Sequence, residues 1–355
     1  MKKLMSAAFA CALLLPSVAS AADFTDKTVE FWVPFKEGGG TDTWARALQP
    51  FIAEKLPGNP DVIIVNETTG GAIGGANEFY RRMKPGGEMI FGTTGSVQFP
   101  FLLGDKRVRY DYADWEPVLA SPVGGVVYLR TDSGVKSVDD FSTLKDMKLV
   151  FGSQAITTLD LVPLLAFEML GLDVQAVFGM KSRALTRQAI QRSEVNIDYQ
   201  TTPTYLKHVV PLVEEGEMVP FMSLGALQAD GTIGRDPTFP DIPSFPEIYE
   251  KVHGEKPSGP AWDSWKAFFT AGYGTQKFIV LPKSSSQDVI DTYRAAMKEV
   301  AADPRAQKVL KDSLGNYEII VGDQVVQAMK DATEVPEEAQ TWITAWLKEK
   351  YNFSN

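Results

Sequence analysis

Hydrophobic and polar positions along this chain switch repeatedly between strict alternation and a spacing of three and four, so strands and helices should follow one another. Val29, Phe31 and Val33 alternate with Glu30 and Trp32 as a partly buried strand does. Pro34 and the glycines Gly38, Gly39 and Gly40 end it, and Trp44, Ala45, Leu48, Phe51 and Ile52 then recur on the inward face of a helix that Thr41 or Asp42 can cap. Val62 to Val65 reads as a second strand. The glycine-then-helix order returns at Thr69 to Ala76, with Glu78, Arg81 and Arg82 turned to water. Met89 to Phe91 reads as a third strand and Gly92 to Ser96 as a loop with hydroxyl donors. After Val118 to Ala120 and Val126 to Leu129, a second cycle opens at Leu149 to Phe151. Its loop, Gly152 to Thr158, leads into a helix carrying Leu161, Leu164, Leu165 and Met169 up to Gly171. Val174 to Phe178, Val195 to Tyr199 and Met218 to Leu224 add strands around a helix from Ala184 to Arg192.

From Ala229 to Ala261 prolines and glycines predict an ordered connection with one short helix near Ile248. Phe268, Phe269 and Phe278 to Leu281 read as returning strands. A long helix should start near Ser285 or Ser286 with Val289, Ile290, Tyr293, Met297 and Val300 inward. The last helix, about Pro336 to Tyr351, carries a stripe of Trp342, Ile343, Trp346 and Leu347 that reads as packing against the first domain. Strand, loop and helix in alternation predict an α/β fold of two domains with mostly parallel sheets, ligands sitting outside the carboxyl ends of the strands. We place domain 1 at 22–123 plus 266–355 and domain 2 at 124–265.

Met1 to Ala21 departs from this alternation. Lys2 and Lys3, an apolar run from Leu4 to Leu15 and the ending Ala19-Ser20-Ala21 predict a secretory leader cleaved after Ala21. The sole cysteine, Cys11, lies inside it, so the exported chain is expected to contain no thiol. The formal net charge of -10 becomes -12 without Lys2 and Lys3. A chain so acidic is a poor partner for nucleic acid or an anionic membrane surface, and any bound anion must be held locally. Two histidines and one cysteine leave no ligand set for zinc.

The local means of holding an anion is the run from Phe35 to Asp42. Glycines admit a ligand close to backbone N–H groups, and the free N–H groups of a helix start carry partial positive charge. A carboxylate is the expected guest. Candidate contacts are Phe35, Lys36, Gly38, Gly39, Gly40, Thr41 and Asp42. Ser153, Gln154, Thr157 and Thr158 occupy the same place in the second cycle. Thr93, Thr94 and Ser96 can bond a solute or cap the next segment. Lys36 and Arg183 can each add a charge-assisted bond. Gly70 to Gly75 has the wrong spacing for a dinucleotide loop and reads as close helix-on-strand packing. No phosphate-binding loop, H-E-x-x-H or G-x-S-x-G motif is present, so no cofactor is expected. A hydrolase built on Ser96 or Ser153 with His208 is the rival reading.

With these residues in view, the chain resembles the solute-binding proteins of tripartite tricarboxylate transporters, the Bug family. The family's opening V-P-F-x-x-G-G-x-x-D run and its A-R pair are matched by Val33, Pro34, Phe35, Gly38, Gly39, Asp42, Ala45 and Arg46. Asn66 to Gly75 looks like its next glycine loop, and Lys84, Pro85, Gly87, Ile90 and Gly92 or Thr93 like its K-P-x-G element. Gln188 to Val195 is similar to its A-x-x-R-G-E-V-D element, and Arg235, Pro240 to Pro243 and Glu247 to its R-x-x-x-x-P-D-x-P-x-x-x-E signature. The resemblance implies a monomeric periplasmic receptor of two α/β domains joined by crossing strands. It would clasp a small carboxylate, a di- or tricarboxylate or an aromatic acid, and deliver it to a large and a small integral membrane subunit. A periplasmic sensor feeding a signalling kinase would need the same closed state. The resemblance also implies that the first loop of each domain holds the ligand, and it adds Asp198, beside the Asn196 that stands at the family's acidic position. Lys36 and Glu37 replace a common proline, and Ser193 a common glycine.

Overall fold

The computed structural model describes residues 21–228 and 230–353. Apart from Ala21, the expected leader lies outside the described residues. In chain order the strands are β1 (Thr28–Val33), β2 (Asp61–Asn66), β3 (Met89–Thr94), β4 (Trp115–Ser121), β5 (Gly125–Arg130), β6 (Leu149–Gly152) and β7 (Val174–Val177). They continue with β8 (Ile197–Thr201), β9 (Met218–Ser223), β10 (Ala226–Leu227), β11 (Ile233–Gly234), β12 (Lys277–Pro282) and β13 (Ile320–Val321). Two sheets carry the architecture, ordered β13-β4-β12-β3-β1-β2 and β7-β6-β8-β5-β9, with β10 and β11 as a separate hairpin.

Both sheets are mixed rather than mostly parallel. β1 runs parallel to β2 and β3, as successive strand–helix–strand units dictate, but β12 is antiparallel to β3 and β4. In the second sheet β6 is parallel to β7 and β8, whereas β5 is antiparallel to β8 and β9. The reason is the crossing of the chain between sheets. β4 leaves the first sheet at Ser121 and β5 enters the second at Gly125, with only Pro122, Val123 and Gly124 between them. A strand arriving from the neighbouring lobe enters at the cleft edge, and so runs against strands that end there. The carboxyl ends of β1 and β3 therefore meet the start of β12, where Lys277 pairs with Thr94 and with Ser121.

The helices follow their apolar spacing. Gly40–Lys55 buries Trp44, Ala45, Leu48, Phe51 and Ile52, and Gln287–Ala302 buries Val289, Ile290, Tyr293, Met297 and Val300. With Pro304–Leu314 they cover one face of the first sheet. Gly75 belongs to close packing, because an added Cβ would come within 2.5 Å of Glu67 O and 2.8 Å of Pro34 Cβ. Phe268 and Phe269, expected in a strand, end the helix Gly259–Phe269. Trp262, Trp265, Phe269 and Tyr273 recur every three or four residues and stack along it, with ring centroids 5.2, 4.9 and 5.8 Å apart. Such pairs add roughly 0.5–1.5 kcal/mol each beyond their burial. The domain boundary placed at 265/266 falls inside this helix.

Besides a core confined to each lobe, the largest apolar cluster among the described residues runs through both sheets, from Phe91 and Trp115 to Phe151 and Tyr199. Gly259–Phe269 makes this possible: it packs on Leu161–Met169 of the second lobe, and Trp265 donates its indole N–H to Val162 O at 3.1 Å. The last helix, Glu337–Tyr351, packs on Gly259–Phe269 and also reaches the second lobe, through Lys350 to Glu168 at 2.8 Å and Tyr351 against Phe178 at 5.3 Å. Among the described residues no helix is long and apolar enough to cross a membrane.

Candidate functional site

The first loop ends at Gly39, which opens the helix Gly40–Lys55 without any side-chain cap. Neither Thr41 nor Asp42 takes that role. Asp42 sits in the first helical turn, almost fully buried, and reaches back so that its carboxylate accepts from Gly38 N–H at 2.8 Å, Arg46 at 2.9 Å and Asn66 at 2.9 Å. Burial raises its pKa, but Arg46, Gly38 and Asn66 together bring it below the ordinary carboxylate value. Asn66 also donates to Phe35 O at 2.9 Å. Gly38 has φ +76°, a left-handed conformation that glycine adopts without strain. The helix makes its first internal bond at Thr43 N–H to Gly39 O, so the N–H groups of Gly40, Thr41 and Asp42 precede the ladder. Phe35 and Gly39 are half-buried, Thr41 is buried, and Lys36, Gly38 and Gly40 are exposed. Asp42 thus shapes the cradle, with both of its oxygens taken by the chain's own donors.

The second loop repeats this construction with different residues. Asp160, fully buried just before the helix Leu161–Met169, accepts from Gln154 N–H at 2.6 Å and from the Ser153 hydroxyl at 2.8 Å through one oxygen. Its other oxygen accepts from Tyr199 at 2.9 Å and Arg183 at 3.4 Å. Arg183, a candidate for a charge-assisted bond to the ligand, is instead held between Asp160 and Asp198 with its guanidinium 4.1 Å from the Tyr199 ring centre. Burial opposes its charge, yet the two carboxylates outweigh burial and raise it further above its ordinary value. Asp198 is fully buried and also accepts from Tyr128 at 2.6 Å and Gln200 at 2.9 Å. Ser153 and Asp198 therefore brace the loop from beneath, while Gln154, Thr157 and Thr158 remain half-exposed, the Thr158 hydroxyl donating to Ala155 O at 2.7 Å. The Ser153 hydroxyl donates to Asp160 rather than to a histidine, and His208 is exposed at the end of Thr202–His208.

Thr93 and Thr94 are not in a loop: β3 runs through Thr94, and a helix, Gly95–Leu102, starts at once. Thr94 is its N-cap, accepting from Ser96 N–H at 3.2 Å. Thr93 points into the core, its hydroxyl 2.6 Å from that of Tyr112. Ser96 is half-buried. A methyl group built on Gly95 would come 2.6 Å from Leu159, so this turn touches the second loop across the lobes.

An open cavity of about 340 Å³ borders the second loop at Gln154 and Thr157 and is lined also by Arg107, Phe178, Tyr351 and Phe353. The first loop does not line it. A larger one, about 590 Å³, lies by Asp263, Lys266, Asp331 and Glu334 and contains none of the candidate residues. Two buried charged residues beside these loops, Asp160 and Lys277, are not among the candidates from sequence. Asp160 gives no sign in sequence, because its bond to Gln154 depends on the loop's path. Lys277 precedes the apolar run Phe278 to Leu281 and is buried, 7% exposed, beside Thr94 and Ser121.

No family model matches the chain. It is 30% identical over 263 residues to a UPF0065 protein of Bordetella pertussis, covering 72% of this chain and 74% of that protein. Among solved structures it is similar to the periplasmic binding protein BugD, at TM-score 0.62 and 20% identity over 90% of this chain and 97% of that one. MatC of Rhodopseudomonas palustris with bound malate superposes at TM-score 0.60, 20% identity, over 89% and 97% of the two chains. A further R. palustris protein, with adipate, does so at TM-score 0.61, 19% identity, over 90% and 96%. At these identities the likeness of structure concerns the fold.

Proposed function

The chain belongs to the UPF0065 family of Bug-type solute-binding proteins, and we propose that it is a periplasmic receptor for a small dicarboxylate, clasped between the two lobes and handed to the large and small membrane subunits of a tripartite transporter. The observation that carries this reading is the paired construction of the two loops. In each, a buried aspartate at the start of a helix, Asp42 or Asp160, accepts from a backbone N–H of the loop before it. Each loop is thereby braced from beneath, with the fold's own carboxylates already occupied. Anion binding at such a helix start needs no positive net charge.

Gly38 to Thr41, Thr94 and Ser96 form one jaw. Gln154, Thr157 and Thr158 form the other, with Phe35 and Phe178 as apolar walls. Lys36 lies at the rim, while Asp42, Ser153 and Asp198 hold the jaws in shape. Malate and adipate, bound by proteins of this fold, differ in length, so the distance between jaws would set the choice of ligand. Closure follows because a solute bonded to both jaws favours the conformation in which both contacts are made.

A thermal-shift screen of aliphatic di- and tricarboxylates, aromatic acids and amino acids tests the reading. At a ligand concentration 100-fold above Kd, stabilisation of about 2.7 kcal/mol is expected for the true ligand. No shift with any carboxylate, alongside a clear shift with a neutral sugar or a cation, would overturn it.

A further inference from the structure

Lys277 stands at the start of β12, ahead of the apolar run Phe278 to Leu281. Its side chain shares a face with Ile279, two residues on, which packs with Trp44 and Phe31 under the helix Gly40–Lys55. Opposite it on the same face are Thr94 at the end of β3 and Ser121 at the end of β4. Trp44, near the start of the covering helix, donates its indole N–H to the Ser121 hydroxyl at 2.9 Å. Lys277 thus opens β12 on the sheet face that the helix Gly40–Lys55 covers, the helix whose free N–H groups form the first jaw. Its acceptor is the neutral side-chain amide of Gln276. Buried charges are ordinarily paired, since removing an ammonium from water without a counter-charge is strongly unfavourable.

We infer that Lys277 supplies the positive charge of the ligand site, its ammonium pairing directly with one carboxylate of the bound solute at the edge formed by Thr94 and Ser121. The inference rests on the receptor reading and narrows it. The first jaw takes a fully ionised carboxylate by amine and helix N–H groups together, leaving the second carboxylate of a compact dianion for the loop Gln154 to Thr158. Neutral amides and sugars lack the counter-charge that makes a buried ammonium tolerable.

The setting also gives binding a proton dependence. Thr94, Ser121, Gln276 and Trp44 carry no charge, and the ionised groups of the covering helix turn, Asp42 and Arg46, pair with each other. Burial alone lowers the amine from its ordinary 10.5 to about 7. An entering carboxylate favours the protonated form and raises that value. Above about pH 7 the free protein is largely neutral at Lys277 and must take up a proton to bind, so affinity falls as pH rises, by about tenfold per pH unit until the bound-state value is reached.

Titration calorimetry on the mature chain with malate, adipate and their monoamides tests this, run from about pH 6 to 9 in buffers of different ionisation enthalpy. Dicarboxylate binding with proton uptake is expected in the wild type. A loss of roughly 10- to 100-fold and a flat pH profile are expected in both Lys277→Met and Lys277→Gln. Nitrogen-15 NMR of the wild-type amine gives a reading that needs no variant, because the ligand must shift its titration upward. Wild-type affinity and pH profile in the variants, or an amine titration that ligand leaves unchanged, overturn the role of Lys277 and leave the receptor reading standing. Wild-type protein that binds no carboxylate overturns both.

Discussion

Gly40 shows how a single position can separate binding from stability. A Cβ built there meets nothing within 4 Å, so Gly40→Val should leave the melting temperature within a few degrees of wild type while its side chain occupies the space in front of the free N–H groups. Calorimetry should then register loss of ligand binding, and unchanged affinity would remove the first loop from the site. Arg183 is the opposite case. Removing it leaves Asp160 and Asp198 buried without their counter-charge, and Arg183→Met should cost about 3–5 kcal/mol in urea denaturation, the usual scale for breaking a buried pair by one partner. Lys277→Met should stabilise instead. The folded-state value of the lysine lies below its unfolded one, so charging it penalises the fold fully below about pH 7 and progressively less as pH rises toward 10.5. The gain in melting temperature from the variant should accordingly be largest near about pH 6 and shrink by about pH 9.

At the scale of elements, the sequence patterns were informative wherever one face of a helix or strand met a continuous apolar layer. Gly40–Lys55, Phe245–His253, Gln287–Ala302 and Glu337–Tyr351 lie where the spacing places them. One misread segment, Phe268-Phe269, has bulky aromatics that suit a strand as well as a helix, and only the stack with Trp262, Trp265 and Tyr273 selects the helix. The family signature from Arg235 to Glu247 proves to be a clasp rather than part of a jaw. Arg235 pairs with Glu247 at 3.0 Å and donates to Pro240 O at 2.7 Å, while Glu247 accepts from Ser244 N–H at 2.8 Å and so anchors the start of Phe245–His253. Because the ion pair is almost half exposed, most of the effect lies in the helix start. Glu247→Ala should lower stability by about 1 kcal/mol and leave ligand affinity unchanged.

Taken whole, the molecule has two sheets but an apolar interior that passes through both, with Trp265 binding the first lobe's returning helix to Val162 of the second. Unfolding of the two lobes should be coupled, and scanning calorimetry should register one transition. Trp265→Ala, at about 3–5 kcal/mol for a buried tryptophan, should lower that transition as a unit. Two resolved transitions, of which only one moved, would contradict the shared core. Composition and periodicity were enough to determine the α/β class, the positions of about half of the helices and the two glycine- or hydroxyl-bearing loops that open helices, because those follow from local spacing and backbone freedom. Which residues serve those loops was decided by tertiary structure. Asp42 and Asp160 bend back under them, Arg183 is drawn inward between two carboxylates, and Lys277 is buried by strands contributed from distant parts of the chain. A side chain's charge, burial and partners are set by what the fold places opposite it, and no local pattern encodes the far side of a sheet.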